Sequence, residues 1–488
     1  MNLNHINVIA RYEVKLVKRS WLFRIFAILA LLFISAIMLG YQTGIVNRMD
    51  NLWPRIAVSS LMPFCNTYFY NIAQSVIVVF LAGSFLKRDK KLDTAEVIYV
   101  RPMSNADYIV GKTWGIVKVF ITLNIITLLF TAFLNILINK SPFDLFPYLF
   151  YLLTISVPSL LFVLGLSFTA MCILKNQAVT FIVMLGIIGT VFFYLTDTLY
   201  GVFDFFGVNI PAIFSDVTGH ADLRLFLLQR FSYLLAGIGL ISMTIALVKR
   251  LPHKPWKIAV VYTFSSLFLL AACLGGLLYI LHYNHQLDLR NQYIMTFDKY
   301  ADVPHVDLLV NDISVTPQGH RLAGKSTVKV ANNNAKPLDK IIFYLNPELT
   351  VTSVEMAGKN LPFRRDHQVI EVDQPIQQQE ELTLTINYEG KISENICYTD
   401  VLTEDYLDTK VPQVFWRFGK RYAWLSNTFT LLTPECIWYP VTIAPVNPGA
   451  PYNVRKNFTD YTLTVHYEGD KTVWSSPLRI PPLCPESV

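Results

Sequence analysis

The stretch Ile258-Ala259-Val260-Val261-Tyr262-Thr263-Phe264-Ser265-Ser266-Leu267-Phe268-Leu269-Leu270-Ala271-Ala272-Cys273-Leu274-Gly275-Gly276-Leu277-Leu278-Tyr279-Ile280-Leu281 carries no charged side chain. A bilayer core takes roughly 20 consecutive apolar residues per helix, so these residues predict a membrane-crossing helix. Back towards the N-terminus, runs at 21–41, 68–86, 114–138, 147–174, 178–200 and 231–248 meet the same requirement. In lipid the backbone must satisfy its own hydrogen bonds, which makes helices of all seven. Forward of Tyr283 the character reverses, and the chain turns polar, Pro-rich and strand-like. The expected fold class is a membrane all-α unit of about seven transmembrane helices, joined to an all-β domain. Composition agrees: with 53% hydrophobic and 16% charged residues and mean hydropathy +0.40, the 488-residue chain is too apolar for a soluble globule.

Orientation follows from Lys and Arg near the span ends. With a cytoplasmic N-terminus, the inside segments hold fifteen of these cations between Arg11 and Lys257, against five outside: Arg48, Arg55, Lys140, Arg224 and Arg230. An odd number of spans then places everything after His282 outside. The net charge of +6 is explained by this placement and is no nucleic-acid signature. The first apolar run is too long for a signal peptide, and no small-residue cleavage site follows it.

Two cytoplasmic segments stand out. Between Ile9 and Trp21, apolar Ile9, Val14, Leu16 and Val17 alternate with Arg11, Lys15, Lys18 and Arg19. That pattern suits either a helix in the membrane interface or plain cationic flanking sequence. In the loop 87–112, Leu92, Ala95, Glu96 and Tyr99 recur at helical spacing, so 93–100 can form a short helix that Pro102 stops. Ser104 or Asn105 can then cap a second helix leading into the third span.

This loop resembles the corresponding segment of ABC-2 type transporter permeases, where an acidic helix precedes an Arg-Pro-x-Ser turn and a Gly-Lys pair. The matching positions are Asp93, Glu96, Arg101, Pro102, Ser104, Gly111 and Lys112. The resemblance implies a coupling loop that docks on a separate cytoplasmic ATPase subunit. It also implies permeases paired as a homodimer or heterodimer in a bacterial inner membrane. The usual core has six spans; the seventh, 258–281, would deliver the C-terminal domain to the periplasm.

Beyond Asp288 helical signal is scarce. Apolar and polar residues alternate in short runs, among them Thr327-Val328-Lys329-Val330, Lys340-Ile341-Ile342-Phe343-Tyr344-Leu345 and Leu382-Thr383-Leu384-Thr385-Ile386. Period-two patterning between turns predicts antiparallel sheets in a sandwich or saddle. The expected division is an interfacial helix over 1–20, the membrane unit over 21–282, a linker over 283–306, the β-domain over 307–474 and an irregular tail over 475–488.

The order of β elements resembles the N-terminal domain of M1-type zinc aminopeptidases. The resemblance rests on Leu322-Ala323-Gly324-Lys325, Phe343-Tyr344-Leu345-Asn346, Tyr388-Glu389-Gly390-Lys391-Ile392, Trp438-Tyr439-Pro440 and Tyr461-Thr462-Leu463-Thr464-Val465. The zinc-binding His-Glu-x-x-His is absent, as is that family's Gly-x-Met-Glu-Asn strand. The chain is therefore expected not to be an enzyme, and a peptidase part would be missing or encoded separately.

Three signals compete with these readings. Gly319-His320-Arg321-Leu322-Ala323-Gly324-Lys325-Ser326 matches the phosphate-loop pattern, but the residues that follow look like a strand where that chemistry needs a helix. A β-hairpin turn is the better account, so no cofactor is expected and ATP is left to a partner. His282 and His285 lack further ligands, and no metal is expected there. Cys397 and Cys436 are a candidate disulfide, with Cys484 left over; Cys65, Cys172 and Cys273 lie in or near spans. Deep intramembrane charges are nearly absent: Asp197 falls near one span end and Lys118 near another. The leading expectation is the membrane subunit of an ATP-driven transporter, with the lipid bilayer and an ATPase as partners and no nucleic acid. The alternatives are a membrane anchor for an M1-like peptidase, and a non-transport scaffold with a protein-binding β-domain.

Overall fold

The charged alternation before the first span folds as helix α1 (Leu3–Arg19), opened by the Asn2 side chain, which accepts the Asn4 N–H at 3.0 Å. Its stripe Ile6, Ala10, Glu13 and Val17 is buried, while Arg11, Lys15, Lys18 and Arg19 stay exposed. These findings come from a computed structural model that describes residues 2–42, 59–89, 103–138, 143–196, 198–207, 210, 212, 214–215, 219–220, 222–248, 255–403, 421–444, 459–467 and 472–473.

Seven helices among the described residues are long and apolar enough to cross a membrane. They are α2 (Trp21–Gln42), α3 (Leu61–Asp89), α4 (Asn105–Ile138), α5 (Phe146–Leu174), α6 (Gln177–Leu195), α7 (Leu223–Leu247) and α8 (Pro255–Tyr300). The most enclosed is α3, with 61% of its span buried against 22% for α6 and α8. Its neighbours, not lipid, therefore surround it. A two-residue corner joins α5 to α6: Lys175 takes a left-handed conformation, and Asn176 accepts the Ala178 N–H at 3.0 Å. Helices α5 and α7 meet where both are glycine. A Cβ on Gly165 would lie 2.8 Å from the Gly237 carbonyl, and one on Gly237 would lie 2.7 Å from the Leu161 backbone. Without a hydrophobic drive between helices in lipid, such close backbone approach supplies the packing. Thr169 completes the contact by donating to the Leu240 carbonyl at 3.0 Å. Several expected boundaries move, two of them with consequences for the charges near the span ends. The fifth span ends as helix at Leu195, five residues before Tyr200, and the sixth begins at Leu223, so Arg224 and Arg230 are helical and not in a connector. A small hairpin, β1 (Phe214–Ser215) and β2 (Gly219–His220), precedes α7.

The chain divides at His285 into two compact units. The second is β-rich, with strands β3 (Asp307–Gln318), β4 (Arg321–Ala331), β5 (Ile341–Tyr344), β6 (Leu349–Met356), β7 (Lys359–Asn360), β8 (Phe363–Asp366), β9 (Val369–Val372), β10 (Glu381–Gly390), β11 (Ala423–Leu425), β12 (Thr430–Leu432) and β13 (Asp460–Val465). Six form one sheet in the order β13-β3-β4-β10-β6-β7, three form another in the order β5-β9-β8, and β11 pairs with β12. Among the described residues pairing is antiparallel except between β13 and β3, which run parallel. The expectation of wholly antiparallel sheets fails at that edge. Between Gln318 and Asp460 the chain is long enough to return in either direction.

The stretch 283–306, expected to be a linker, is helical as far as Tyr300. Leu289, Tyr293, Phe297 and Tyr300 recur at helical spacing and pack on Ile342, Tyr344 and Val369. Ile341, Phe343, Ile370 and Val372 face the other way, into the core shared with the six-stranded sheet. Strands β5 and β9 are thus buried at every position, because a helix covers one face and a sheet the other. A strand covered on both faces loses its polar alternation, which is why Ile341-Ile342-Phe343-Tyr344 reads as an apolar run.

Candidate functional site

Of the predicted coupling positions, Asp93, Glu96, Arg101 and Pro102 lie outside the described residues. Ser104, Gly111 and Lys112 are described; Ser104 is half-buried, and Gly111 and Lys112 are buried. The Ser104 N–H donates to Asp107 Oδ2 and the Asp107 N–H donates to Ser104 Oγ, both at 3.1 Å, so Ser104 caps α4 reciprocally. Asp107 Oδ1 also accepts the Asn2 N–H at 2.8 Å. One carboxylate thus serves the N-termini of α1 and α4, where the helix dipoles favour an anion. Beside it, Asn105 Nδ2 donates to the Val248 carbonyl at 2.7 Å, closing the last turn of α7. The end of the loop is tied to three helices.

Gly111 and Gly115 let α1 lie directly on α4. A Cβ at Gly111 would meet Ile9 at 2.8 Å, and one at Gly115 would meet Glu13 Cβ at 2.7 Å and the Ala10 carbonyl at 2.9 Å. Lys112 Nζ lies 3.8 Å from Glu13 Oε2, with both side chains about 95% buried. Gly111 and Lys112, expected at a partner surface, face α1: the small residue and the ion pair serve the α1–α4 contact. Gly115→Leu should destabilise that contact by about 1–3 kcal/mol. Limited trypsin digestion checks it, because loosened α1 is cut at Arg11 and Lys15 faster than in the parent protein.

A second constellation lies inside the bundle. Asn66 Nδ2 of α3 donates to Thr131 Oγ1 of α4 at 2.6 Å and to the Thr127 carbonyl at 3.0 Å. Asn71 donates to Ser159 of α5 at 2.9 Å, and Asn124 of α4 donates to Ser156 at 2.7 Å, where α5 passes through a π-helical turn, Leu152–Ser156. Every one of these side chains is at least 98% buried. This polar seam abuts the irregular segment 198–207, in which Asp204, Phe205 and Phe206 are at most 2% exposed while Thr198, Leu199 and Phe203 are exposed. Side chains of four helices satisfy its backbone carbonyls: Asn71 of α3 on Phe206 at 2.6 Å, Ser159 of α5 on Phe205, Gln229 of α7 on Gly201 and Asp204 at 3.0 Å, and Tyr279 of α8 on Tyr200 at 2.9 Å. Arg230, 1% exposed, donates to the Phe205 carbonyl at 3.1 Å and also to that of Asp204. Irregular backbone buried among helices needs protein groups to supply its hydrogen bonds in this way.

Arg230, expected among the outside charges, is buried in the bundle, and the seam is not among the expected features. The signal was present: Asn124, Thr127 and Thr131 stand at i, i+3 and i+7 on one face of α4. Neutral amides and hydroxyls do not lower a hydropathy average enough to be noticed. Asp197 lies outside the described residues, and Lys118 stacks on the Trp114 ring at 5.0 Å.

In the β-rich unit, Cys397 Sγ and Cys436 Sγ lie 3.4 Å apart as buried free thiols. Burial, with Cys436 alongside, pushes the Cys397 thiol well up. Cys484 lies outside the described residues. The phosphate-loop mimic is a hairpin turn at Gly319 (φ +58°) between β3 and β4. Lys325 and Ser326 sit inside the sheet, paired with Ser314 and Ile313 on one side and Asn387 and Ile386 on the other. Their amides serve the ladder and do not converge on an anion. Among the described residues no three His, Cys, Asp or Glu side chains gather as metal ligands.

Neither a protein-family profile nor a curated protein matches the chain. Solved structures with partial likeness are the M1 zinc metallopeptidase of Deinococcus radiodurans, a mutant of it bound to a Tyr-Ser-Ala substrate, and a two-domain M1 zinc metallopeptidase mutant bound to L-arginine. Each is 23% identical over 18% of this chain, with a TM-score of 0.17. The match spans about a fifth of those proteins' length, 21%.

Proposed function

We propose that the chain is the membrane-spanning permease subunit of an ATP-binding cassette transporter of the ABC-2 type, driven by a separate cytoplasmic ATPase that docks on the loop 87–112. The observation that carries this reading is the anchoring of that loop at its C-terminal end. Ser104, Asn105 and Asp107 tie it to α4, α7 and α1, so a displacement of the loop acts on three helices at once. An ordinary solvated connector needs no such anchorage. On this reading the N-terminus is cytoplasmic, the β-rich unit periplasmic and the membrane the bacterial inner membrane. ATP hydrolysis belongs to the partner, and the permease pairs with a second permease copy or a homologue. Closure of the ATPase subunits would push the loop and move the spans between inward- and outward-facing states.

Affinity purification from gently solubilised membranes, with mass spectrometry and an ATPase assay on the eluate, tests the reading. An ATPase is expected to co-purify and to be lost when Asp93 and Glu96 are both changed to Lys, because reversing two charges at a docking surface opposes the complementary field. A preparation free of ATPase would overturn the proposal and favour the anchor or scaffold.

A further inference from the structure

We infer that residues 198–207 are a plug seated in a binding site for an acceptor-rich anionic group, phosphate or carboxylate. Most hydrogen bonds across this contact run one way, the Tyr200 hydroxyl excepted, which donates to Asn284 Oδ1 at 2.7 Å. Asn71, Ser159, Gln229, Arg230, Tyr233 and Tyr279 all donate, and backbone carbonyls of the segment accept. The segment also brings its own anion: Asp204, fully buried, folds back to accept the Phe206 and Gly207 N–H groups at 3.0 Å beside the Arg230 guanidinium. Gly207 admits the guanidinium, since a Cβ there would lie 2.8 Å from Arg230 Nη1.

If the segment leaves, the donors around Arg230 lose the carbonyls of 198–207, although Arg230 Nε keeps Gln229 Oε1 and Asn71 keeps Ser159 Oγ. Each orphaned donor is penalised in a dry interior, and the cation most of all. The vacated site therefore calls for a ligand rich in acceptors and negatively charged. Tyr200 and Gly201 at one end, and Gly207 at the other, take left-handed conformations, which gives the segment turns at both ends. The seam of Asn71, Asn124, Ser156 and Ser159 borders the site and offers further hydrogen bonds to a polar group moving along it.

Hydrogen exchange of peptides covering 198–207, measured on the full-length protein in phosphatidylcholine nanodiscs, tests the inference. One arm adds phosphatidylglycerol to the bilayer, and the other adds inorganic phosphate to the buffer. One of the two should speed exchange about tenfold, as a ligand competes with the closed state, and the arm that responds identifies a lipid headgroup or a free anion as the source. Arg230→Gln keeps an amide donor for the carbonyls but removes the cation, so the segment should stay protected and the response should vanish. Ser159→Ala deletes one bond to the segment and should let it respond at a lower anion level, which decides the matter should Arg230→Gln fail to fold. Unchanged exchange in both arms, or an equal response in Arg230→Gln, would overturn the inference. Neither probe involves nucleotide, so loss of the ATPase contact would leave this result untouched.

Discussion

Gly237→Leu is expected to unfold or aggregate the membrane unit, with a loss of at least about 3 kcal/mol, beyond the usual range for an overpacked core. The reason is the partner of the new side chain. At most crowded positions a neighbouring side chain can turn aside. Here the atoms 2.7 Å from the new Cβ are the Leu161 carbonyl carbon and the Phe162 nitrogen, both backbone of α5. The two helices would have to separate, breaking the Gly165 contact and the Thr169 hydrogen bond together. Gly186→Leu and Gly189→Leu on α6 serve as controls. A Cβ at either meets nothing within 4 Å, so these changes should stay within about 0.5 kcal/mol of the parent. Thermal unfolding of the detergent-solubilised chain, followed by size-exclusion chromatography, reads all three. Equal loss in Gly237→Leu and Gly186→Leu would mean that the α5–α7 crossing is not the critical contact.

Arg290→Met should cost the β-rich unit about 3 kcal/mol or more, since each buried carbonyl left unsatisfied costs about 1–3 kcal/mol. Arg290 is 1% exposed, and its guanidinium donates to four carbonyls: Asn395 at 3.2 Å, Cys397 at 2.6 Å, Tyr398 at 2.8 Å and Val401 at 3.0 Å. The planar fork reaches all four at once, which neither a Lys point charge nor an apolar isostere can do. Loss of the fork leaves four buried acceptors and frees the segment that carries Cys397. Hydrogen exchange over 394–401 in the full-length protein should accelerate sharply. Arg321→Met, at an exposed position on β4, should leave it unchanged. Undisturbed protection in Arg290→Met would show that the loop is held by other contacts.

Much of this architecture is written in local sequence. Seven apolar runs become seven helices long and apolar enough to cross a membrane, because polar backbone in lipid admits hardly any other solution. The strands were legible where one face is wet, as in Leu382-Thr383-Leu384-Thr385-Ile386, since alternation records a half-buried sheet. Ser104 was legible as a cap because its role depends on residues three positions away. The helical end of α8 carried its signal at Leu289, Tyr293, Phe297 and Tyr300, but polar residues between them masked it.

What the sequence by itself determined, then, is the division into an apolar helical part and a β-rich part, with the periods and caps of most elements. Only the tertiary structure decided that Gly111 and Lys112 belong to an internal contact with α1, that Arg230 lies inside the bundle, and that residues 198–207 enter it. The physical reason is range. Spans, strands and caps follow from interactions between residues a few positions apart, whereas the burial of Arg230 depends on carbonyls about 25 residues away and that of Lys112 on a glutamate in the first helix.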